Sequence, residues 1–173
     1  MTLERCIGCG GEFEPLDGPV HDYMDSSAAC FAAFNALLVA EYSSPALMGI
    51  HRLTVDTWAV QHPGNHRAIE EDRRAIQSVG LHLARLMLQL ERPRPPTETN
   101  AVMLDFSRYK STLKRLTPPA VFTTTVAEIA PFAVSPMHIE KVRGWAKATW
   151  NDWSADHAYI RQWIADHSTQ QDF

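Results

Sequence analysis

Two of the chain's three cysteines stand together near its start, in Cys6-Ile7-Gly8-Cys9-Gly10. Two thiolates on one tight turn make half of a tetrahedral zinc site. The glycine after the second lets backbone amides approach the sulfurs. The nearest candidates for the other half are His21 and Cys30, which give the spacing C-x2-C-x11-H-x8-C. The first two gaps suit structural zinc sites, whereas the last is wider than usual. Gly18-Pro19-Val20-His21-Asp22-Tyr23 reads as a turn that can fold His21 over the knuckle. Cys30 falls in the first turn of a helix, where the dipole favours a thiolate, and it also fits as a small buried hydrophobe. The expected metal ligands are Cys6, Cys9, His21 and Cys30, with His62 as the alternative fourth and Zn2+ as the ion. A redox dithiol is the weaker reading, because no βαβ pattern surrounds the motif.

The eight histidines offer further chemistry. His51, Val55, Trp58 and His62 share one face of a helix at i, i+4, i+7 and i+11. Asp56 points away from that stripe and is placed to pair with Arg52 at i−4. His82 sits on an apolar face and needs a partner, for which Gln61, Asp56 or a metal would serve. His51, Asp56 and His82 are thus a candidate second polar site. Inward-pointing imidazoles from His51, His62, His82, His138 or His157 could build an open, catalytic metal site in a helical bundle. That would make the chain a metal-dependent hydrolase or transferase. Against it, no expected helix carries two histidines four apart, and neither a G-x-S-x-G elbow nor a Walker loop is present. A four-ligand structural site is the preferred function, with the enzyme as its alternative.

Helices must position these groups. Residues 1–25 are irregular, rich in glycine and proline. Ser26-Ser27 cap a helix whose stripe is Phe31, Phe34, Leu37, Leu38 and Glu41. Ser44-Pro45 opens a second helix that Pro63-Gly64 stops after His62. A third is expected over 67–91, opened by Glu70, Glu71 and Asp72 and ended by Arg92-Pro93-Arg94-Pro95-Pro96. A weaker one covers 98–116. Val121–Thr125 is a short strand or connector, and Thr125-Val126-Ala127-Glu128 is a capping box. A last long helix follows Ser135-Pro136 and reaches about His167, with a break near Ser154. The fold class is all-α, a bundle of four to five long helices with an irregular N-terminal segment pinned by metal. One domain, 1–173, is expected, with 1–25 packed on a bundle of 26–168.

Composition narrows the function classes. A hydrophobic share of 45% with 21% charged residues is that of a soluble globular protein. The net charge of −4 argues against nucleic acid, and the one basic cluster, Arg108, Lys110, Lys114 and Arg115, reads as a solvated helix face. No segment has the run of about 18 apolar residues that a membrane span needs, and no signal peptide opens the chain. Neither nucleic acid nor membrane is therefore an expected partner. Three cysteines without a disulfide framework point to the cytoplasm. Trp145, Trp153 and Trp163 form an indole stripe that reads as core, or, if exposed, as a docking surface for a partner.

The blocks Cys6-x-x-Cys9-Gly10, Gly18-Pro19-x-His21-x-Tyr23, Ser26-Ser27-x-x-Cys30, His51-Arg52-Leu53-Thr54-Val55-Asp56, Gln61-His62-Pro63-Gly64 and Val142-Arg143-x-Trp145-Ala146 resemble a family of uncharacterised bacterial proteins, a domain of unknown function. The likeness spans nearly the whole chain. It implies that Cys6, Cys9, His21, Cys30, His51, Asp56 and His62 belong to one signature, and it brings no activity with it. Phe31 departs from the family, which more often places Trp there.

Overall fold

A computed structural model describes residues 2–64, 72–93 and 95–168. The expected start of the third helix at Arg67, with Glu70 and Glu71, lies outside them. The described chain is all-α apart from one small ribbon, in which β1 (Glu4–Arg5) pairs antiparallel with β2 (Glu12–Phe13). The helices are α1 (Ala28–Tyr42), α2 (His51–Val60), α3 (Arg73–Glu91), α4 (Pro96–Phe106), α5 (Val126–Ile129), α6 (His138–Asp152) and α7 (His157–His167).

Local chemistry explains the boundaries. Ser27 caps α1 by accepting from the Cys30 amide at 3.2 Å, which fixes Cys30 in the first turn. Asp72 caps α3 by accepting from the Arg74 amide at 2.8 Å. Thr125 and Glu128 form the expected capping box ahead of α5. The break after α6 is a 3-10 turn over Ser154–Asp156.

Three expectations shift. The second helix opens at His51 rather than at Ser44-Pro45. Residues 44–50 instead form successive turns closed by Leu47 N–H to Ser44 O (2.9 Å) and Ile50 N–H to Leu47 O (3.0 Å). A proline and Gly49 in seven residues keep that stretch from propagating as α-helix. The helix expected over 98–116 ends at Phe106 and tightens into 3-10 geometry over Ser107–Thr112. Val121–Thr125 is a connector and not a strand.

At the centre lies α2, packed on α1, α3 and α6. Trp58, Trp145 and Trp153 are completely buried around it, and Trp163 is buried as well. The indoles are core, so no exposed tryptophan patch exists for a partner to dock on. Two of them also tie down the end of α2: Trp153 Nε1 donates to Val60 O at 3.2 Å, and Trp145 Nε1 donates to Gln61 Oε1 at 3.1 Å. Gln61 Nε2 in turn donates to Thr124 O (2.7 Å) and Thr149 Oγ1 (2.8 Å). The residue that follows this anchored pair is His62.

Candidate metal centre

Cys6, Cys9, Cys30 and His62 converge, with one donor atom from each lying within 4.8 Å of all the others. All four side chains are buried. Cys9 Sγ stands 3.8 Å from Cys30 Sγ, and His62 Nε2 stands 3.6 Å from Cys6 Sγ and 3.2 Å from Cys30 Sγ. A tetrahedral ion with bonds of about 2.3 Å to sulfur and about 2.0 Å to nitrogen sets its ligands roughly 3.8 Å apart for S···S and 3.5 Å for S···N. The Cys9–Cys30 and Cys6–His62 pairs stand at about those separations, and the Cys30–His62 pair is slightly closer. The set is the Cys3His combination of closed structural sites.

The surroundings complete the arrangement. The knuckle closes through Gly10 N–H to Cys6 O at 2.9 Å, with Gly10 at φ 76°, a left-handed conformation that glycine adopts without strain. Backbone amides of Gly11 and Ser27 donate to Cys9 Sγ and Cys6 Sγ, each at 3.4 Å, which favours thiolate character. His62 Nδ1 donates to Trp58 O at 2.6 Å, so its Nε2 lone pair is free for the cluster. The ring is stacked on Trp58, centroids 4.1 Å apart, and Trp58 is stacked on Phe34.

Three thiols cannot all ionise in one buried pocket without a cation. Hydrogen bonds from Cys30 and Cys9 hold Cys6 far below the usual thiol range despite burial. At Cys9 the bond from Cys30 pulls downward, but the Cys6 thiolate and burial outweigh it and push the group up to about 12. Cys6 and Cys9, together with burial, drive Cys30 far upward. One thiolate and two thiols is the resting compromise, and an ion of charge +2 would remove the need for it.

Of the residues expected as ligands, Cys6, Cys9 and Cys30 are brought together and His21 is not. His62 takes the fourth corner. The His21 ring packs edge-on against Tyr23 at 4.6 Å, and its Nδ1 accepts the Tyr23 amide at 3.4 Å. Burial lowers its basicity. Its own turn thus claims the imidazole, while α2 delivers His62 on a rigid support.

The second polar site divides into two separate networks. Asp56 is completely buried and receives Arg85 in bidentate fashion, His82 Nδ1 at 2.6 Å and Gln89 Nε2 at 2.6 Å, all from α3. Arg85 on the facing helix, not Arg52 one turn back, is therefore its partner, because an inward carboxylate is reached across the interface. His51 belongs instead with Glu41, which is completely buried on α1. Glu41 Oε2 accepts from His51 Nδ1 at 2.9 Å, and its Oε1 faces His138 Nε2 at 3.0 Å and the Thr54 hydroxyl. Tyr42 OH lies 3.0 Å from His51 Nε2. Sequence reasoning did not single out Glu41 as a site residue. The available signal was a glutamate on the apolar stripe of α1. His157 Nε2 donates to Trp150 O at 2.8 Å. Among the described residues the Cys3His group is the one set of metal donors that converges.

Fold and site together define an all-α protein with a buried Cys3His cluster able to hold a metal ion. The chain belongs to a family of unknown function, DUF5946, whose model matches residues 4–154, a span that contains all four donors. No curated protein and no solved structure matches it.

Proposed function

We propose that the cluster binds one Zn2+ per chain and that the ion is structural, fastening the N-terminal knuckle to α1 and to the end of α2. The observation that carries this reading is the convergence of four buried protein donors within 4.8 Å of one another. A catalytic zinc keeps a position open for water, whereas four protein donors would fill every corner of a tetrahedral ion here. Three thiolates and an imidazole suit zinc over the harder divalent ions. The segment before α1 supports the same role: its ribbon pairs only two residues on each strand, and a ribbon that small has no independent stability. Free thiols in such a site belong to a reducing compartment, and we place the protein in the cytoplasm. No helix among the described residues is long and apolar enough to cross a membrane.

The test is metal content and coordination on purified protein. Elemental analysis should find about one zinc per chain, and X-ray absorption at the zinc edge should show a shell of three sulfurs and one nitrogen. Cys6→Ser with Cys9→Ser should lose the metal and lower the melting temperature. Protein that carries no zinc and melts at the same temperature with and without it overturns the proposal. A shell of nitrogens with a water would support the hydrolase reading instead.

A further inference from the structure

Two cavities lie side by side along α2, α3 and α4 and share Arg52, Arg85 and Asn100 as wall residues. The first, about 240 Å³, mixes the apolar Ile50, Leu53 and Pro93 with Gln89 from α3 and Arg143 from α6. The second, about 400 Å³, is lined by the apolar Leu81 and Met103, with His82 beside them and the exposed Leu104 at its rim. Among the described residues neither wall contains an aspartate or glutamate.

The three guanidiniums are not equivalent. Arg85 is held from behind by the buried Asp56, which fixes its position and balances its charge. Arg52 and Arg143 are exposed and make no hydrogen bond or ion pair with any described residue. A chain of net charge −4 thus places two uncompensated cations beside one cleft. Planar guanidinium forks pair with carboxylates in bidentate fashion, and Arg85, whose Nε and Nη2 are held by Asp56, adds a fixed donor in Nη1. Next to them, an apolar trough would leave a purely inorganic anion with nothing to fill it.

We propose that this cleft binds a small amphipathic anion, an aliphatic carboxylate. Its acid head lies between Arg52 and Arg143 against the face of Arg85, and its chain lies along Leu81, Met103 and Leu104. The site is separate from the metal cluster and does not depend on its role.

The test is calorimetric titration of the zinc-loaded full chain with octanoate, 1-octanol, octylammonium and inorganic phosphate. Octanoate should bind saturably at one site, and the other three should bind at least about tenfold more weakly. Arg52→Ala with Arg143→Ala should weaken octanoate by at least about tenfold, because the paired charges are removed. Leu104→Asp, a change at an exposed position that sets a like charge beside the chain, should weaken it as well. Zinc content and melting temperature of both variants should match the parent, which separates lost binding from lost folding. No saturable octanoate binding overturns the proposal, as does equal binding of octanol or an undiminished affinity in the double variant. Phosphate binding as tight as octanoate overturns it in favour of a simple anion site.

Discussion

A side chain at Gly8 would collide with two partners of the knuckle at once. A Cβ there would sit 2.2 Å from the Asp25 carbonyl oxygen and 2.5 Å from His62 Cδ2. The first is backbone and the second a stacked ring, so neither yields cheaply. Gly8→Ala should therefore separate the Cys6/Cys9 turn from His62. Zinc affinity, measured by competition with a chromophoric chelator, should fall at least about tenfold, and an unchanged affinity would refute this account of Gly8. The same donors set a pH dependence. Without metal, Cys9 is raised to about 12 and Cys30 is raised further, so both carry protons at neutral pH, while Cys6 is lowered and carries none. Zinc needs all three as thiolates, so loading must expel about two protons. Affinity should consequently fall as pH falls. Calorimetry at pH 7 in buffers of different ionisation enthalpy reads the number directly, and a value near zero would contradict the assigned protonation.

At the scale of elements, α2 feeds three networks that one helical stripe could not separate. His51 opens α2 and His62 follows its last residue, Val60, by two positions, so the length of the helix sets them roughly 15 Å apart, too far to serve one ion. Helical phase was legible in the sequence, and so were the caps at Ser27 and Thr125. What completed each network was not. Arg85 reaches Asp56 from 29 residues away, and His138 reaches Glu41 from 97. Pairing between helices depends on their packing, on which local spacing is silent. The metal donors were more legible because cysteine is scarce here and its three copies had few other partners. Nearness in sequence favoured His21, whereas the fold brings His62 to the three cysteines. The end of α2 is anchored there by Gln61, which joins Trp145, Thr149 and Thr124. Gln61→Ala should leave the Trp145 N–H and the Thr124 carbonyl without a partner and cost about 2–3 kcal/mol. Urea denaturation of the zinc-loaded protein measures this, and a loss below about 0.5 kcal/mol would show that the end of α2 is held by packing alone.

For the whole molecule, the question is what the ion holds that the core does not. The core runs continuously through the helices: Leu83 and Leu86 on α3, Val142 and Trp145 on α6, and Ile160 on α7 are all fully buried. None of these contacts passes through the metal cluster. The N-terminal segment contributes Cys6, Cys9 and Met24 to that core, and two of those three belong to the proposed metal site. Removal of zinc should therefore act unevenly. After treatment with a strong chelator at 25 °C, helical circular dichroism should largely persist, while hydrogen exchange should accelerate over residues 2–25 and the first turn of α1. Melting should move down by several degrees, since each kcal/mol lost corresponds to about 2–4 °C in a chain of this length. Uniform loss of protection through α3, α6 and α7 would mean that the ion supports the entire bundle. Unchanged exchange at 2–25 would mean that the ribbon and Met24 suffice without it. The structure favours the graded outcome, because Cys6 and Cys9 are both donors of the proposed site and two of the three buried residues by which the knuckle joins the core.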